Sequence, residues 1–221
     1  MCGRFTLTDP ADALSALFEA VPANDLPDVP NYNICPTNRI HAVVSDAGSR
    51  RLRALRWGFI PHWAKAANDG PLLINARSET IADKPAFRAA ARERRCLIPA
   101  TGFYEWTKDA DGNRLPWYIH SVEESPLVFA GVWQDWTKGD ESLTTCAIVT
   151  TAANAPMSKI HHRMPVILAK TDWALWLGEA GHGAAALMKA APDDTLSAYR
   201  VDRAVNSNRA HGPNLIVPIE A

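Results

Sequence analysis

Short apolar or alternating runs, separated by polar turn residues, recur along this chain and predict a structure built mainly of strands. The runs read, in order, IHAVVS, LRWGFI, PLLINAR, RCLIPATGFYEW, PWYIHS, PLVFAGVWQDW, TTCAIVTTAA, RMPVIL, SAYRV and NLIVPIE. The DADGN segment between RCLIPATGFYEW and PWYIHS is typical of a hairpin turn, because Asp, Asn and Gly adopt the backbone angles that tight turns need. We therefore expect strands to outnumber helices.

Helical periodicity is confined to a few segments. Thr8-Asp9-Pro10 ahead of ADALSALFEAV predicts an N-cap and a first-turn proline that open an amphipathic helix. SETIADKPAFRAAARERR predicts a second helical region with Ser78 as its cap, and TDWALWLG and GAAALMKA predict shorter helices. Because helices and strands do not alternate strictly, the pattern favours an α+β fold. We expect a single domain over residues 1–221, with a largely antiparallel, barrel-like β core flanked by short helices.

Composition narrows the cellular setting. At 47% hydrophobic and 21% charged residues, the chain is typical of a soluble globular protein. It has no apolar run long enough to span a membrane and no secretory signal, so we expect a cytoplasmic protein. Its four cysteines are widely spaced, which suits free thiols and argues against a zinc ribbon. The histidines lack metal-binding spacings, so we expect neither a metal nor another cofactor.

Charge is distributed unevenly along the chain. Residues 1–100 carry 13 Lys and Arg against 10 Asp and Glu, whereas the remainder carries 10 against 14. The overall net charge of −1 therefore hides +3 in the first part and −4 in the second. Arginine clusters lie at residues 50–56 and 88–95, where a solvated face is the commoner use. Arginine is also the side chain best suited to phosphate recognition.

The second residue, Cys2, is the first candidate for chemistry. Removal of Met1 would leave Cys2 with a thiol and a free α-amine, two nucleophiles that are both available near neutral pH. With an aldehyde the amine would form an imine, and the thiol would then close a five-membered thiazolidine. With an amide, Cys2 would act as an N-terminal nucleophile. A buried hydrophobic cysteine is an equally good interpretation of its position alone.

Polar residues in three apolar segments are further candidates. Asn75 and Arg77 alternate in LLINARSET, so both side chains lie on one face of a strand and suit an oxyanion and a phosphate. Glu105 in TGFYEW lies among aromatic residues, a setting that raises a carboxyl pKa toward neutrality. His161 and His162 in KIHHRMP would point to opposite sides of an extended segment, so only one would face a given site. Each of these residues also has an ordinary structural interpretation.

Two tryptophans flank a proline-containing loop in RWGFIPHW. Trp57 and Trp63, if exposed beside arginine, would suit stacking on unpaired bases. Core packing is the commoner use of tryptophan.

Nine segments, taken in order, resemble the signature segments of one family. They are MCGRFT, YNICPT, RWGFIPHWAK, INARSET, FRAAARERRCLIPATGFYEW, FAGVW, IVTTAAN, IHHRMPVIL and VNSNRAHGPNLI, and they extend from residue 2 to about residue 216. The family is that of the SOS response-associated peptidase (SRAP) proteins, also known as abasic site processing or shield proteins. Each segment alone is a weak signal, but the ordered set is highly specific.

The resemblance implies a protein that crosslinks itself to abasic sites in single-stranded DNA and shields the lesion during the SOS response to DNA damage. It implies that Met1 is removed and that Cys2 forms the thiazolidine with the deoxyribose aldehyde. Asn75 would position the N-terminus and the sugar, Glu105 would act as general acid and base, and His161 would assist opening and closure of the sugar ring. Cysteine peptidase activity on Met1 and abasic-site lyase activity are also implied.

The remaining expected contacts are with DNA. Arg4, Arg77 and Arg163 are candidates for the flanking phosphates, Trp57 and Trp63 for the bases, and Thr150 for the lining of the site. We expect a monomer that associates with the nucleoid when bound to DNA and that meets replication-fork proteins. Cys35 in NICPT stands where a small residue is more usual in the family.

Two other classes of function compete with this interpretation. Class-II glutamine amidotransferase domains also begin Met-Cys-Gly, so an N-terminal-nucleophile glutamine amidohydrolase is the alternative enzyme. A non-catalytic module that binds single strands would give reversible, salt-sensitive binding without a covalent product.

Overall fold

Strands account for most of the regular structure within residues 2–219, the part of the chain that the computed structural model describes. The strands are β1 (Phe5–Leu7), β2 (Ala20–Pro22), β3 (Asn31–Ile34), β4 (Arg39–Asp46), β5 (Ser49–Trp57), β6 (Asn75–Arg77), β7 (Arg95–Ala100), β8 (Gly102–Lys108), β9 (Arg114–Ser121), β10 (Leu127–Lys138), β11 (Glu141–Ala152), β12 (Arg163–Pro165) and β13 (Leu196–Arg200). The helices are α1 (Ala11–Phe18), α2 (Pro85–Glu93), α3 (Ala155–Ser158) and α4 (Trp173–Leu177), and short 3-10 turns cover Lys170–Asp172, Ala184–Leu187, Arg203–Asn206 and Pro213–Ile216.

Five strands close into a barrel. Neighbouring strands pair antiparallel in the order β11, β10, β7, β4 and β5. A short parallel pairing of β5 with β11, Arg56 with Thr145 and Trp57 with Cys146, then joins the ends. The inward-facing apolar side chains of these strands form the main core. The α+β class and the largely antiparallel, barrel-like core predicted from the sequence are therefore confirmed.

Three further strands extend the barrel sheet. β12 pairs antiparallel with β11, whereas β2 pairs parallel with β5. β6 pairs parallel with β11 and places Asn75 beside Ile148 and Arg77 beside Thr150. The end of β11 therefore lies between β6 and β12, and the polar residues of these three segments lie near one another.

A second antiparallel sheet packs against the barrel and holds the start of the chain. Its order is β13, β9, β8, β1 and β3, so β1 lies between β8 and β3. Phe5 of β1 meets the rings of Trp57 and Phe129 edge-on, at centroid distances of 5.2 and 6.1 Å. Aromatic packing of this kind fixes the N-terminal strand against the barrel.

Helix limits differ from those that the sequence predicts. α1 ends at Phe18 because Glu19 takes a left-handed backbone angle (φ 52°), and Ala20–Pro22 continues as β2. Pro10 occupies the N-cap position of α1 and no side chain caps the helix. In the second helical region only Pro85–Glu93 is helical, and residues 78–84 form turns and a bend, so Ser78 is not its cap. A proline favours the first turn of a helix, which explains the start at Pro85.

Two apolar runs also fold differently from their prediction. RCLIPATGFYEW is divided at Thr101 into β7 of the barrel and β8 of the second sheet. NLIVPIE contributes a 3-10 turn over Pro213–Ile216, and Pro218 forms a single bridge with Val201. No helix within residues 2–219 has the length and apolar character needed to cross a bilayer.

Candidate functional site

Cys2 lies three residues before β1, in the interior of the molecule. Phe5 of β1 pairs antiparallel with Phe103 of β8, so the chain start runs back along β8 toward Glu105. The Cys2 side chain is fully buried in the main core. Burial raises the pKa of its thiol, and the nearby Glu105 carboxylate raises it further. The thiol is therefore protonated at neutral pH. Met1, whose removal the predicted chemistry requires, lies outside the described residues.

Asn75 is the direct link between the barrel and the chain start. Its Nδ2 donates a hydrogen bond of 2.9 Å to the Cys2 carbonyl oxygen. β6 can offer this amide because its parallel pairing with β11 fixes the Asn75 backbone beside Ile148. The Asn75 Oδ1 is buried and accepts no hydrogen bond from the described residues. A buried acceptor without a donor is costly, so a ligand that donates to this oxygen would be stabilised here.

Glu105 lies in β8, between Tyr104 and Trp106, and is only 3% exposed. Burial raises the pKa of its carboxyl above the ordinary glutamate value. The backbone N–H of Tyr104 donates to the Arg4 carbonyl oxygen at 3.0 Å, so the chain start runs along β8 next to Glu105. The sequence prediction of a carboxyl in an apolar, pKa-raising setting agrees with this environment.

The two histidines lie in the segment between α3 and β12. Asn154 caps α3 by accepting from the Met157 backbone N–H at 3.1 Å, and the chain then turns before entering β12. His161 is half-buried, with Nδ1 at 3.0 Å from the Arg163 nitrogen and 3.1 Å from its carbonyl oxygen. Nε2 is therefore the ring nitrogen directed away from this backbone. Burial lowers the pKa of His161, so the ring is neutral at pH 7.

The expectation that the histidines point to opposite sides is wrong. Their rings stack at a centroid distance of 4.4 Å, with 27° between the ring planes. The reason is local, because residues 159–162 form a turn and a bend rather than an extended strand. His162 is exposed, and its pKa is lowered first by neighbouring His161.

Arg163 is held inside the protein by an ion pair. Its Nη1 and Nη2 donate to the two carboxylate oxygens of Glu79 at 2.6 and 2.9 Å. Nη2 also donates to the Thr150 carbonyl oxygen at 2.7 Å, and Thr150 itself is fully buried. The guanidinium lowers the pKa of Glu79 to about 2 through these hydrogen bonds. Arg163 therefore meets a carboxylate at the position where a phosphate contact was expected.

The other expected DNA contacts differ in exposure. Trp57 is fully buried and donates from Nε1 to the Ile74 carbonyl oxygen at 3.0 Å, so the expectation of an exposed ring is wrong for this residue. Trp63 is 50% exposed. Arg77 is exposed at the end of β6. Arg4 is half-buried and donates from Nη1 to Asn33 Oδ1 at 2.7 Å and to the Val205 carbonyl oxygen at 3.0 Å.

Sequence reasoning missed two residues that organise the site. Glu79 follows Arg77 by two positions in the INARSET segment. Its ion-pair partner Arg163 was predicted as a DNA contact, whereas Glu79 was not predicted as a site residue. Asn33 is 7% exposed, receives Arg4, and donates from Nδ2 to the Ser207 and Ala210 carbonyl oxygens at 3.1 and 2.6 Å. These contacts join segments far apart in the sequence, so no local pattern could have shown them.

Within residues 2–219 no three His, Cys, Asp or Glu side chains come together as a metal site.

A cavity of about 900 Å³ lies between α1, the β9–β10 turn and the segments around residues 167–173 and 187–195. None of the predicted catalytic residues lines this cavity.

Comparison with known proteins gives one consistent family. A family model described as SOS response associated peptidase (SRAP) matches residues 1–208. The abasic site processing protein YoqW of Bacillus subtilis strain 168 is 37% identical over 223 residues, covering 98% of this chain and 99% of YoqW. The abasic site processing protein YedK of Escherichia coli strain K12 is 30% identical over 228 residues, covering 99% of this chain and all of YedK.

Solved structures share the fold. An X-ray structure of a protein from Bacteroides thetaiotaomicron superposes with a TM-score of 0.87 at 25% identity, covering 99% of this chain and all of the other. A phage-related protein from Bordetella bronchiseptica superposes with a TM-score of 0.70 at 28% identity, covering 91% and 95% of the two chains.

Proposed function

The chain belongs to the SOS response associated peptidase (SRAP) family, and we propose that it processes abasic sites in single-stranded DNA by forming a covalent crosslink through Cys2. The relatives YoqW and YedK are both named abasic site processing proteins. The observation that carries the proposal is the Asn75 hydrogen bond to the Cys2 carbonyl beside the buried carboxyl of Glu105. Because Asn75 fixes the Cys2 backbone and Glu105 is the acid nearby, the amine and thiol of Cys2 are positioned to react.

The reaction proceeds in two bond-forming steps after Met1 is removed. The Cys2 amine adds to C1′ of the ring-opened sugar aldehyde, and loss of one water gives an imine. The Cys2 sulfur then adds to the imine carbon while the thiol proton passes to the nitrogen, which closes a thiazolidine. Because burial raises the pKa of the thiol, the amine is the first nucleophile and the sulfur follows.

Three side chains take named roles in these steps. Glu105, whose pKa burial raises, holds a proton at higher pH than an ordinary glutamate, so it can donate that proton to the departing water. Asn75 fixes the Cys2 backbone and offers its buried Oδ1 to a donor on the amine or the sugar. His161, neutral at pH 7, exchanges a proton through Nε2 as the sugar ring opens.

Contacts with DNA are assigned to the exposed members of the predicted set. Arg77 and Trp63 are exposed and take a flanking phosphate and a base, respectively. The Glu79 ion pair makes Arg163 a positioning residue for the His161 segment, with Thr150 as its second anchor. We further propose that the protein acts as a cytoplasmic monomer that joins the nucleoid through damaged DNA.

The test uses single-stranded DNA carrying one abasic site, with intact-mass spectrometry of the protein before and after mixing. We expect mature protein without Met1 and a heat-stable adduct that forms without reductant. Cys2→Ser keeps the amine and removes the thiol. It should give an adduct only when the imine is trapped with borohydride, and otherwise strand cleavage by β-elimination at the C3′–O bond.

Three results would overturn the proposal. A Cys2→Ala protein that forms the heat-stable adduct at the wild-type rate would exclude the thiazolidine. Release of ammonia from glutamine, with no adduct on abasic DNA, would identify the N-terminal-nucleophile amidohydrolase instead. Reversible, salt-sensitive binding alone would identify a non-catalytic single-strand binding module.

A further inference from the structure

A second polar cavity lies where one edge of β5 changes its pairing partner. β2 pairs with β5 as far as Leu52, and β11 pairs with it from Arg56 onward. Within residues 2–219, no strand pairs with Arg53–Leu55 on this edge. The gap opens into a cavity of about 400 Å³, which we call the seam notch. Its walls come from the β2 exit, the β3–β4 turn, β5 and the start of β11.

Three arginines line the seam notch, from two strands. Arg39 of β4 and Arg56 of β5 stand directly opposite each other in the antiparallel pairing, and Arg53 lies three positions earlier on β5. Like charges at directly opposed positions repel each other. The one acidic residue in the lining is Asp25, which pairs with Arg39 at the surface. The notch therefore carries an excess of positive charge that an anion would offset.

Hydroxyl groups complete the lining opposite the arginines. Ser142 and Thr144 come from the start of β11. Thr144 Oγ1 accepts from Arg53 Nη2 at 3.5 Å and donates to Asp135 at 2.6 Å, so it orients the guanidinium. Thr37 comes from the β3–β4 turn and has a left-handed backbone angle (φ 74°). This angle is unfavourable for a β-branched residue, and such strain is concentrated at functional sites. Guanidinium groups and hydroxyls together are the donor set of phosphate sites.

We propose that the seam notch binds a phosphate group, either free or as a phosphodiester of nucleic acid. Arg39, Arg53 and Arg56 supply the charge, and the Ser142 hydroxyl supplies a neutral donor. The site is separate from the Cys2 site, because Thr144 lies about 13 Å along β11 from Ile148, the partner of Asn75, and neither Cys2 nor Asn75 lines the notch. The inference therefore stands whether or not Cys2 forms a crosslink.

Inorganic phosphate is the first probe, compared with potassium chloride at equal ionic strength. We expect a phosphate concentration ten times the dissociation constant to raise the Tm by about 3–6 °C. Arg53→Gln should weaken phosphate binding about tenfold, the usual effect of losing one charge-assisted hydrogen bond. Arg51→Gln is the matched control, because Arg51 lies on the same strand, pairs with Asp46 and does not line the notch. Arg39→Gln, which lies at the rim, is a second variant if Arg53→Gln fails to fold.

A second experiment, with unmodified single-stranded DNA, distinguishes a phosphodiester ligand from free phosphate. For a phosphodiester ligand, Arg53→Gln should reduce the salt slope of DNA binding by about 0.7, the value of one lost phosphate contact. For a free phosphate ligand, Arg53→Gln should leave DNA binding unchanged while losing the effect of inorganic phosphate. The proposal is overturned if neither probe distinguishes Arg53→Gln from Arg51→Gln. Adduct formation on saturating abasic DNA should stay at the wild-type rate in both variants, so failure here is separable from failure of the Cys2 chemistry.

Discussion

At the scale of single residues, one ion pair, between Arg163 and Glu79, holds a largely buried cation of the site. Arg163 is 9% exposed and has its two terminal nitrogens on Glu79, which is itself about half exposed. A buried cation without its carboxylate would be destabilised, whereas an exposed carboxylate without its cation would be solvated by water. Glu79 therefore stabilises the protein through Arg163, and this dependence gives a pH signature.

Glu79→Gln should lower the free energy of unfolding by about 1 kcal/mol at pH 7, a modest value because water screens a half-exposed pair. The pKa of Glu79 is lowered to about 2 in the folded protein, against an ordinary value of about 4.3. A depressed carboxyl pKa stabilises the fold above the unfolded value. The difference between wild type and variant should therefore be complete above about pH 5 and shrink as the pH falls toward 2.

Urea unfolding at a series of pH values measures this difference. Glu141→Gln, at the exposed start of β11, is the control and should change stability by less than about 0.5 kcal/mol. A difference between wild type and Glu79→Gln that stays constant down to pH 2 would show that the ion pair is not its cause.

The residues of the site were only partly predictable from the sequence. The local setting of Glu105 among aromatic residues was visible, and its burial agrees with it. The family resemblance supplied the grouping of Cys2, Asn75, Glu105 and His161. Trp57 could not be assigned correctly, because a tryptophan in a strand gives no sign of which face it occupies. The Arg163 partner lies 84 positions away, beyond any local pattern.

At the scale of elements, one hairpin connects the N-terminal strand with the acid of the site. β8 pairs with β1 on one side and with β9 on the other, and it carries Glu105. Its first residue, Gly102, allows Tyr118 of β9 to lie across the backbone. Tyr118 Oη then meets Thr6 Oγ1 of β1 at 2.9 Å. The close approach at Gly102 therefore sets the positions of three strands.

Gly102→Ala should destabilise the protein by about 1–3 kcal/mol, the usual cost of overpacking. A Cβ at this position would lie 2.4 Å from the Tyr118 ring and 2.7 Å from the Ile119 carbonyl oxygen, and backbone cannot move aside easily. Because β8 must shift, we also expect slower adduct formation on abasic DNA. Urea unfolding, near-ultraviolet circular dichroism of the tyrosines and adduct kinetics measure the three effects.

Gly112→Ala is the control at the other end of the same hairpin. No atom lies within 4 Å of a Cβ there, so the only cost is the left-handed backbone angle (φ 82°), about 1 kcal/mol. Its tyrosine spectrum and adduct kinetics should match those of the wild type. Equal spectra and equal kinetics for both variants would contradict the proposed role of Gly102.

Strand content was predictable, whereas strand partnership was not. Alternating runs marked most strands because one face of each is buried. The division of RCLIPATGFYEW at Thr101 was hidden, since both halves are apolar and differ only in the sheet that they join. The parallel contact of β5 with β11 rests on two residue pairs that are distant in sequence. Helix ends were missed where Glu19 took an unexpected backbone angle.

At the scale of the whole molecule, the uneven charge should guide DNA before any bond forms. The barrel strands β4 and β5 and the helix α2 carry most arginines of the positive first part, whereas the second part is net negative. We expect such an arrangement to attract a polyanion to these arginine-bearing elements although the total charge is only −1.

Salt should therefore slow the crosslinking of dilute protein without reducing the final yield. Each phosphate contact contributes a slope of about −0.7 in a plot of the logarithm of the encounter affinity against the logarithm of salt concentration. The covalent product, once formed, does not depend on these contacts. Adduct formation followed from about 50 to 200 mM potassium chloride measures both quantities. A yield that falls in parallel with the rate would indicate reversible binding in place of a crosslink.

The pairing of β1 with β8 has a consequence for biosynthesis. Phe5 leaves the ribosome first but finds its partner Phe103 only after about a hundred further residues have been added. At translation rates of about 5–20 residues per second, this interval lasts about 5–20 s. During it β1 can pair only with β3, because Ile34 follows Phe5 by about thirty residues whereas the rest of the second sheet is made later. Burial of Cys2 in the main core thus waits for β8, so the order of synthesis sets how long this residue stays accessible.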